Sequence, residues 1–272
     1  MSEPLPPSLL FRASTPSCKP LHSLLSCLSQ TASNSLHTPP SLVHIYVSQT
    51  YLVFSLNAGS KTTESSVHIQ SEMFDQFQVG ETANEEDDTV DQTGEFAVSL
   101  ELVIQSLMVF GTSLDRMHTT LSYDRQTSIF TITLEDPSGA LSSTALQGSE
   151  IEDTDLSDTL NTAFQNEAIV ARVILKSKYL KEAVAEMKTA VGGDFITLTI
   201  NNQQLSLSTD GDSISTTVSL PRSRTVFSSL STSPPITHFH RYAATHFFTG
   251  MQGLEPAEET CVQVRTLERR AK

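Results

Sequence analysis

Four lysines lie in one short stretch of the sequence, LKSKYLKEAVAEMK, which runs from Leu175 to Lys188, and the last three share one side of a predicted helix. Lys178, Lys181 and Lys188 are spaced i, i+3 and i+10, which places them on one side of a helix. The opposite side of that helix carries an apolar stripe, formed by Leu180, Ala183, Val184 and Met187. A row of ammonium groups can contact phosphates without distinguishing bases. The spacing therefore indicates a surface suited to weak, local contact with an anion such as a phosphate. The alternative is a charged helix face that is only hydrated.

A second group of residues has types that bind metals. His238, His240 and His246 share strand parity, so all three could face one side, and Cys261 could supply a fourth zinc ligand. The alternative is a strand with polar residues on its hydrated face, and we expect no metal site here. The sequence contains neither a GxxxxGK[ST] phosphate loop nor a GxSxG nucleophile elbow. We therefore predict no cofactor.

Composition limits where DNA could bind. The formal net charge is −14 and the pI is near 4.9, which argues against non-specific wrapping of nucleic acid, so any DNA contact must be local. The first residues show no signal peptide, and no stretch approaches the length needed to span a bilayer, so we expect a soluble protein without membrane contact. Cys18, Cys27 and Cys261 lack CxxC spacing, which favours free thiols in a reducing compartment.

Most of the chain alternates between apolar and polar residues, as strands do. The predicted strands are LVHIYV, YLVFSL, SVHIQ, EFAVSL, SIFTITL, ARVILK, FITLTI, QLSLST and ISTTVSL. Helical spacing is rarer and appears at Ser17–Gln30, Ser99–Phe110 and Ser177–Lys188. Each helix is preceded by a strand-like run and begins at a serine that could cap it.

The first and third helices are similar when one is shifted by 159 residues. Lys19 then falls on Lys178, and His22 falls on Lys181. The apolar pairs are Leu21 with Leu180, Leu25 with Val184, and Leu28 with Met187. The chain thus consists of two halves that share a strand–helix–strand beginning. We predict a first domain at residues 1–146, an acidic connector at 147–164 and a second domain at 165–272.

Several blocks of the sequence resemble the Rad-one/Rec-one family, a subunit of the heterotrimeric DNA-damage checkpoint clamp related to the replication clamp PCNA. The blocks are SEMFDQFQV, FAVSLELVIQSLMVFGTS, ARVILKSKYLKEAVAEM and FITLTINNQQLSLSTDGDSISTTVSLP. The resemblance spans about Phe11 to Arg265 with gaps. It implies an α+β fold of two similar clamp domains, with antiparallel sheets outside and inner helices lining a ring.

The resemblance also implies partners and a place of action. The ring would contain two different sister subunits, would encircle double-stranded DNA without sequence specificity, and would be placed there by a clamp loader. Lys178, Lys181 and Lys188 would lie on the inner surface, with Lys19 and His22 as their first-domain counterparts. The outer sheets and the connector would recruit repair and checkpoint signalling proteins in the nucleus.

The sequence departs from the family pattern after its first helix and near its end. TASNSLHTPPSL stands where the family enters its next strand directly. Arg241–Thr266 resembles the family's strand, inner helix and following strand, although Gly253 and Pro256 predict a poor fourth helix. Only LERRAK follows, where the family continues with further strands. We therefore expect the second domain to lack its last strands, which would leave an unpaired sheet edge.

Two other functions stay open at this point. The family has been associated with 3′-to-5′ exonuclease activity, which requires carboxylates that converge on two metal ions. The candidates form one run, Glu85, Glu86, Asp87, Asp88 and Asp91, and such a run is more typical of a solvated loop. We therefore predict no catalytic residues. The other alternative is a protein-interaction adaptor that never contacts DNA.

Overall fold

The computed structural model describes residues 5–28, 41–57, 64–80, 92–111, 114–149, 167–189, 193–211, 214–233, 237–254 and 257–265. The chain divides into two compact units, unit 1 at Met1–Thr154 and unit 2 at Asp155–Lys272. Most of the predicted connector lies outside the described residues. Its first residue, Gln147, ends a strand of unit 1. The predicted domain limits at residues 146 and 165 stay predictions.

Unit 1 contains two antiparallel sheets and two α-helices in its described residues. Its elements are β1 (Leu9–Thr15), α1 (Lys19–Ser26), β2 (Leu42–Ser48), β3 (Tyr51–Asn57), β4 (Glu64–Gln70), β5 (Gln76–Val79), β6 (Gln92–Ser99), α2 (Leu100–Leu107), β7 (His118–Asp124), β8 (Ile129–Glu135) and β9 (Leu141–Gln147). One sheet has the order β5-β1-β7-β8-β9, and the other has the order β4-β3-β2-β6.

The core of unit 1 takes side chains from both sheets and both helices. Its strands alternate as a half-buried sheet requires: in β8, Phe130, Ile132 and Leu134 are buried, and the residues between them are less so. Phe96 is completely buried and stacks on Tyr123, with their ring centroids 3.8 Å apart.

Unit 2 repeats this element order in its described residues. Its elements are β10 (Ile169–Lys176), α3 (Ser177–Thr189), β11 (Phe195–Ile200), β12 (Gln204–Asp210), β13 (Ser215–Pro221), β14 (Phe227–Thr232), β15 (His238–Ala243), α4 (Ala244–Gly250) and β16 (Glu259–Arg265). The sheets have the orders β14-β10-β16 and β13-β12-β11-β15. Within the described residues, no strand of unit 2 takes the place of β8 and β9.

The nine strands predicted from alternation are confirmed, but the predicted helix starts are only partly right. Ser99 caps α2, because its hydroxyl accepts a hydrogen bond from the Leu102 backbone N–H at 3.4 Å. The prediction of a serine cap is wrong for α1, which begins after Cys18, whereas Ser17 donates to the Leu114 carbonyl. Ser177 is the first residue of α3, and its hydroxyl lies 2.6 Å from that of Thr260.

The helices of the described chain are all short. None of them combines the length and the apolar character that crossing a membrane would require.

Candidate nucleic-acid interface

Helix α3 holds the predicted lysines because its apolar stripe fixes which side faces outward. Leu180, Ala183, Val184 and Met187 are all buried, as their spacing predicts. They belong to the core of unit 2, where α3 packs against β12 and β13. The opposite side of the helix therefore points away from the core.

The lysines of α3 lie around that outward side. Lys178 and Lys188 are exposed, and Lys181 is half-buried. The Lys178 ammonium lies 4.8 Å from the ring centroid of Tyr179, and the Lys188 ammonium lies 5.6 Å from that of Phe248 in α4. Such contacts are worth about 0.5–1 kcal/mol at an exposed site and leave the positive charge unneutralised. They orient the ammonium groups while keeping them available to a phosphate.

Two carboxylates lie beside this lysine row. Glu182 and Glu186 are exposed and occupy the adjoining strip of the helix surface. Helix α3 therefore has one basic and one acidic strip side by side. Each phosphate that a lysine neutralises releases counterions and so adds binding free energy. The neighbouring carboxylates repel phosphates and therefore limit the affinity of α3 for DNA.

The first-domain counterparts are less cationic than the sequence suggests. The Lys19 ammonium forms an ion pair with Asp115 at 3.0 Å, and both side chains are largely exposed. His22 is half-buried, with its Nε2 3.4 Å from the Ser26 hydroxyl. A surface ion pair contributes only about 0–1 kcal/mol, so a phosphate could replace Asp115. The sequence could not reveal Asp115 as a partner, because it is far from Lys19 along the chain.

Helix α2 of unit 1 carries no exposed cation. Its exposed residues are Glu101, Leu102 and Gln105. Among the helices whose side chains are described, the positive charge is thus concentrated on α3.

Among the residues whose side chains the structure describes, the candidates for a metal site do not converge. His238 and His240 pair with Ile200 and Leu198, so their side chains share the inner face of their sheet. Cys261 lies in the other sheet of unit 2, opposite Ile174, and the side chain of His246 lies outside the described set. The described residues contain no group of three or more histidines, cysteines or carboxylates placed to hold a metal ion.

The candidate nuclease carboxylates belong to one acidic run between β5 and β6. Glu85, Glu86, Asp87, Asp88 and Asp91 all lie outside the described residues.

Comparison with known proteins identifies the family. The family model for the repair proteins Rad1/Rec1/Rad17 matches residues 10–265. The chain belongs to this family. Among solved structures, the chain is similar to proliferating cellular nuclear antigen from Entamoeba histolytica, with a TM-score of 0.71 and 14% sequence identity. That match covers 94% of this chain and 90% of the Entamoeba protein. No curated protein matches the chain.

The Rad1/Rec1/Rad17 match and the structural match support each other. The two-unit α+β architecture of this Rad1-family chain is the sliding-clamp fold, as the sequence predicts. Family and fold together are those of a checkpoint-clamp subunit connected with DNA repair. The DNA-facing role of the individual lysines stays a prediction.

Proposed function

We propose that this chain is a non-catalytic subunit of a heterotrimeric ring that encircles double-stranded DNA in the nucleus. The ring would contain two different sister subunits and would be closed on DNA by a clamp loader. It would serve DNA-damage checkpoint signalling and repair as a platform for other proteins. Its action would be topological, so the chain itself would need no cofactor.

The lysine row of α3 carries this proposal. Lys178 and Lys188 are exposed on a helix of a sliding-clamp fold, in a chain whose net charge is −14. A clamp that slides must contact phosphates weakly and without base recognition, and a few lysines beside glutamates meet that requirement. The net negative charge of the whole chain discourages DNA from binding outside the ring.

Two sheet edges support assembly with other subunits. β9 in unit 1 and β13 in unit 2 are edge strands, each seven residues long, with the sequences LSSTALQ and STTVSLP. Neither strand carries a charged residue, and charges are a common means of blocking an exposed edge. Edge-to-edge pairing between subunits would satisfy these backbone groups and close a ring.

The first test measures assembly. We expect native mass spectrometry of the chain mixed with its two candidate sister subunits to show a one-to-one-to-one complex. A chain that stays alone in the presence of both partners would contradict the heterotrimer.

The second test separates encirclement of DNA from assembly. The triple variant Lys178→Glu, Lys181→Glu and Lys188→Glu should still form the complex but should leave end-blocked linear DNA faster after loading. The logarithm of its affinity for DNA should fall less steeply with the logarithm of the salt concentration. The slope should be smaller by up to about 2.7, because three phosphate contacts are removed and each contributes about 0.9.

A matched control has the same change in net charge elsewhere in unit 2. The variant Arg172→Glu, Lys176→Glu and Arg224→Glu changes three exposed cations that lie outside α3. This control should be retained on DNA like the wild type. If both triple variants are retained equally well, α3 does not face DNA, and a pure protein adaptor would explain the fold better.

A further inference from the structure

The edge strand β15 of unit 2 occupies the same place as β6 of unit 1. In unit 1, the Leu100 N–H donates to the Ser41 carbonyl at 2.9 Å, where β6 passes into α2. In unit 2, the Ala244 N–H donates to the Asp194 carbonyl at 2.8 Å, where β15 passes into α4. Because the two strand pairs share this register, Arg241 of β15 corresponds to Ala97 of β6.

In unit 1, the outer edge of β6 binds one residue of the segment that follows β9. The Ala97 N–H donates to the Ser149 carbonyl, and the Ser149 N–H donates to the Ala97 carbonyl, both at 2.9 Å. This pair of bonds is one step of an antiparallel ladder. Ser149 therefore shows how a chain adds to this edge.

The equivalent edge in unit 2 has no such partner within the described residues. β15 is the last strand of its sheet, and no described residue pairs with its outer side. By the shared register, the backbone N–H and C=O groups of Phe239 and Arg241 point away from β11. These groups can accept and donate the bonds that Ala97 makes to Ser149.

The side chains beside this edge form an exposed aromatic and cationic patch. Phe239 is 67% exposed, the highest value among the large hydrophobic residues that the structure describes, and Phe195 is 43% exposed. The Arg241 guanidinium carbon lies 4.0 Å from the ring centroid of Phe195. At the positions of Phe239 and Arg241, unit 1 has Glu95 and Ala97, so the patch belongs to unit 2 alone.

We propose that the β15 edge binds an extended acidic peptide segment of another protein, which adds to the sheet as an antiparallel strand. An acidic side chain of the segment would pair with Arg241, and an apolar one would cover Phe239 and Phe195. Backbone bonds give such a complex its affinity, and the side-chain contacts give it specificity.

The chemistry of the patch favours an acidic peptide. Arg241 is a cation held in place by Phe195 in a chain of net charge −14, so charge complementarity selects a carboxylate at this point. Aromatic residues and arginine are also the types that dominate binding free energy at protein interfaces. Single-stranded nucleic acid could stack on the phenylalanines, but it would leave the free backbone groups of β15 unpaired.

This inference names a partner class for the platform role and rests on that part of the proposed function. Its test uses the full chain without DNA and without sister subunits. A negative result here leaves ring assembly untouched, and a failure of ring assembly leaves the peptide titration interpretable.

The probe is a fluorescein-labelled ten-residue peptide with threonine at every second position and valine and glutamate alternating between them. We expect its fluorescence anisotropy to saturate with the full chain at a Kd below about 1 mM. The matched peptide with lysine in place of glutamate should bind at least about tenfold more weakly, since it would place like charge against Arg241.

Two variants separate the side-chain contribution from the backbone contribution. Arg241→Glu should weaken binding of the glutamate peptide about tenfold, whereas Arg172→Glu, on an exposed position of β10, should leave it unchanged. Phe239→Pro should bind more weakly than Phe239→Ala, because proline removes an outward N–H without breaking the ladder to β11. Far-UV circular dichroism of each variant checks that the sheet is intact.

Each contrary result would overturn the proposal. Equal binding of the two peptides, or unchanged binding by Arg241→Glu, would show that the edge does not select an acidic partner. Equal affinities of Phe239→Pro and Phe239→Ala would show that the peptide does not bind as an added strand. Binding of a labelled ten-residue oligothymidine, with no binding of the peptide, would make the patch a platform for single-stranded nucleic acid.

Discussion

His240 takes the position in unit 2 that Phe96 takes in unit 1. Leu198 pairs with His240 in the register in which Ile45 pairs with Phe96. The His240 Nε2 is buried without a hydrogen-bond partner, as is that of His238. Burial lowers the pKa of His240, and the nearby His238 lowers it further. The lowered pKa means that folding disfavours the protonated imidazole, so unit 2 should lose stability in acid.

The sign of this effect follows from the lowered pKa. Since the unfolded chain takes up a proton near the ordinary histidine pKa of about 6.5, unit 2 should have its full stability above about pH 7. That stability should fall as the pH drops toward the lower folded pKa of His240. We expect His240→Phe, which copies Phe96 of unit 1, to reduce the loss of stability between about pH 7 and pH 5.

Urea unfolding of unit 2 at several pH values measures this prediction. The wild type and His240→Phe should differ most at the acidic end of the range. An unchanged pH dependence in His240→Phe would show that another group controls the acid sensitivity.

At the scale of single elements, helix α2 has a start that depends on one side chain. The Ser99 hydroxyl accepts from the Leu102 N–H at 3.4 Å and donates to Glu101 at 3.1 Å. Ser99→Ala should destabilise unit 1 by about 1 kcal/mol, because it leaves an N–H of the first turn without its cap. Ser99→Asp, which keeps an acceptor, should restore most of this loss. Thermal unfolding of both variants measures the difference, and equal melting temperatures would show that the cap contributes nothing.

Most elements with a complete local pattern could be predicted from the sequence, although β7, in which Thr119, Leu121 and Tyr123 alternate as buried residues, was not. Helix α3 has an unbroken apolar stripe, so its buried face follows directly from Leu180, Val184 and Met187. In β9 only Leu146 is buried, and β14 buries only Phe227 and Leu230. Both are edge strands rich in serine and threonine, and they bury few side chains. Their apolar pattern is therefore too weak to predict a strand from the sequence.

Contacts of the candidate site residues could likewise be predicted only where they depend on local spacing. The lysine row follows from helical spacing, which is local. The ion pair of Lys19 with Asp115, the stacking of Arg241 on Phe195 and the contact of Lys188 with Phe248 all join distant parts of the chain. Such contacts depend on topology and could not be predicted from spacing alone.

At the scale of the whole molecule, the two units have separate cores of different size. Among the described residues, the core of unit 1 contains 28 buried side chains, and that of unit 2 contains 18. A smaller core supplies less hydrophobic free energy per residue ordered, so unit 2 should be the less stable of the two. Unit 2 would then depend more on partners for its stability, since anything that binds only the folded state stabilises it.

We therefore expect urea to unfold the full chain in two transitions, with unit 2 unfolding first. Leu180→Ala should shift only the first transition, by about 2–5 kcal/mol, and Phe96→Ala should shift only the second, by about 3–5 kcal/mol. Lys178→Ala changes an exposed side chain of α3 and should shift neither by more than about 0.5 kcal/mol. Circular dichroism together with hydrogen exchange would assign each transition to its unit. A single transition that both core variants shift equally would show that the two units unfold as one. If the cores were independent, a substitution in one unit would leave the unfolding of the other unchanged.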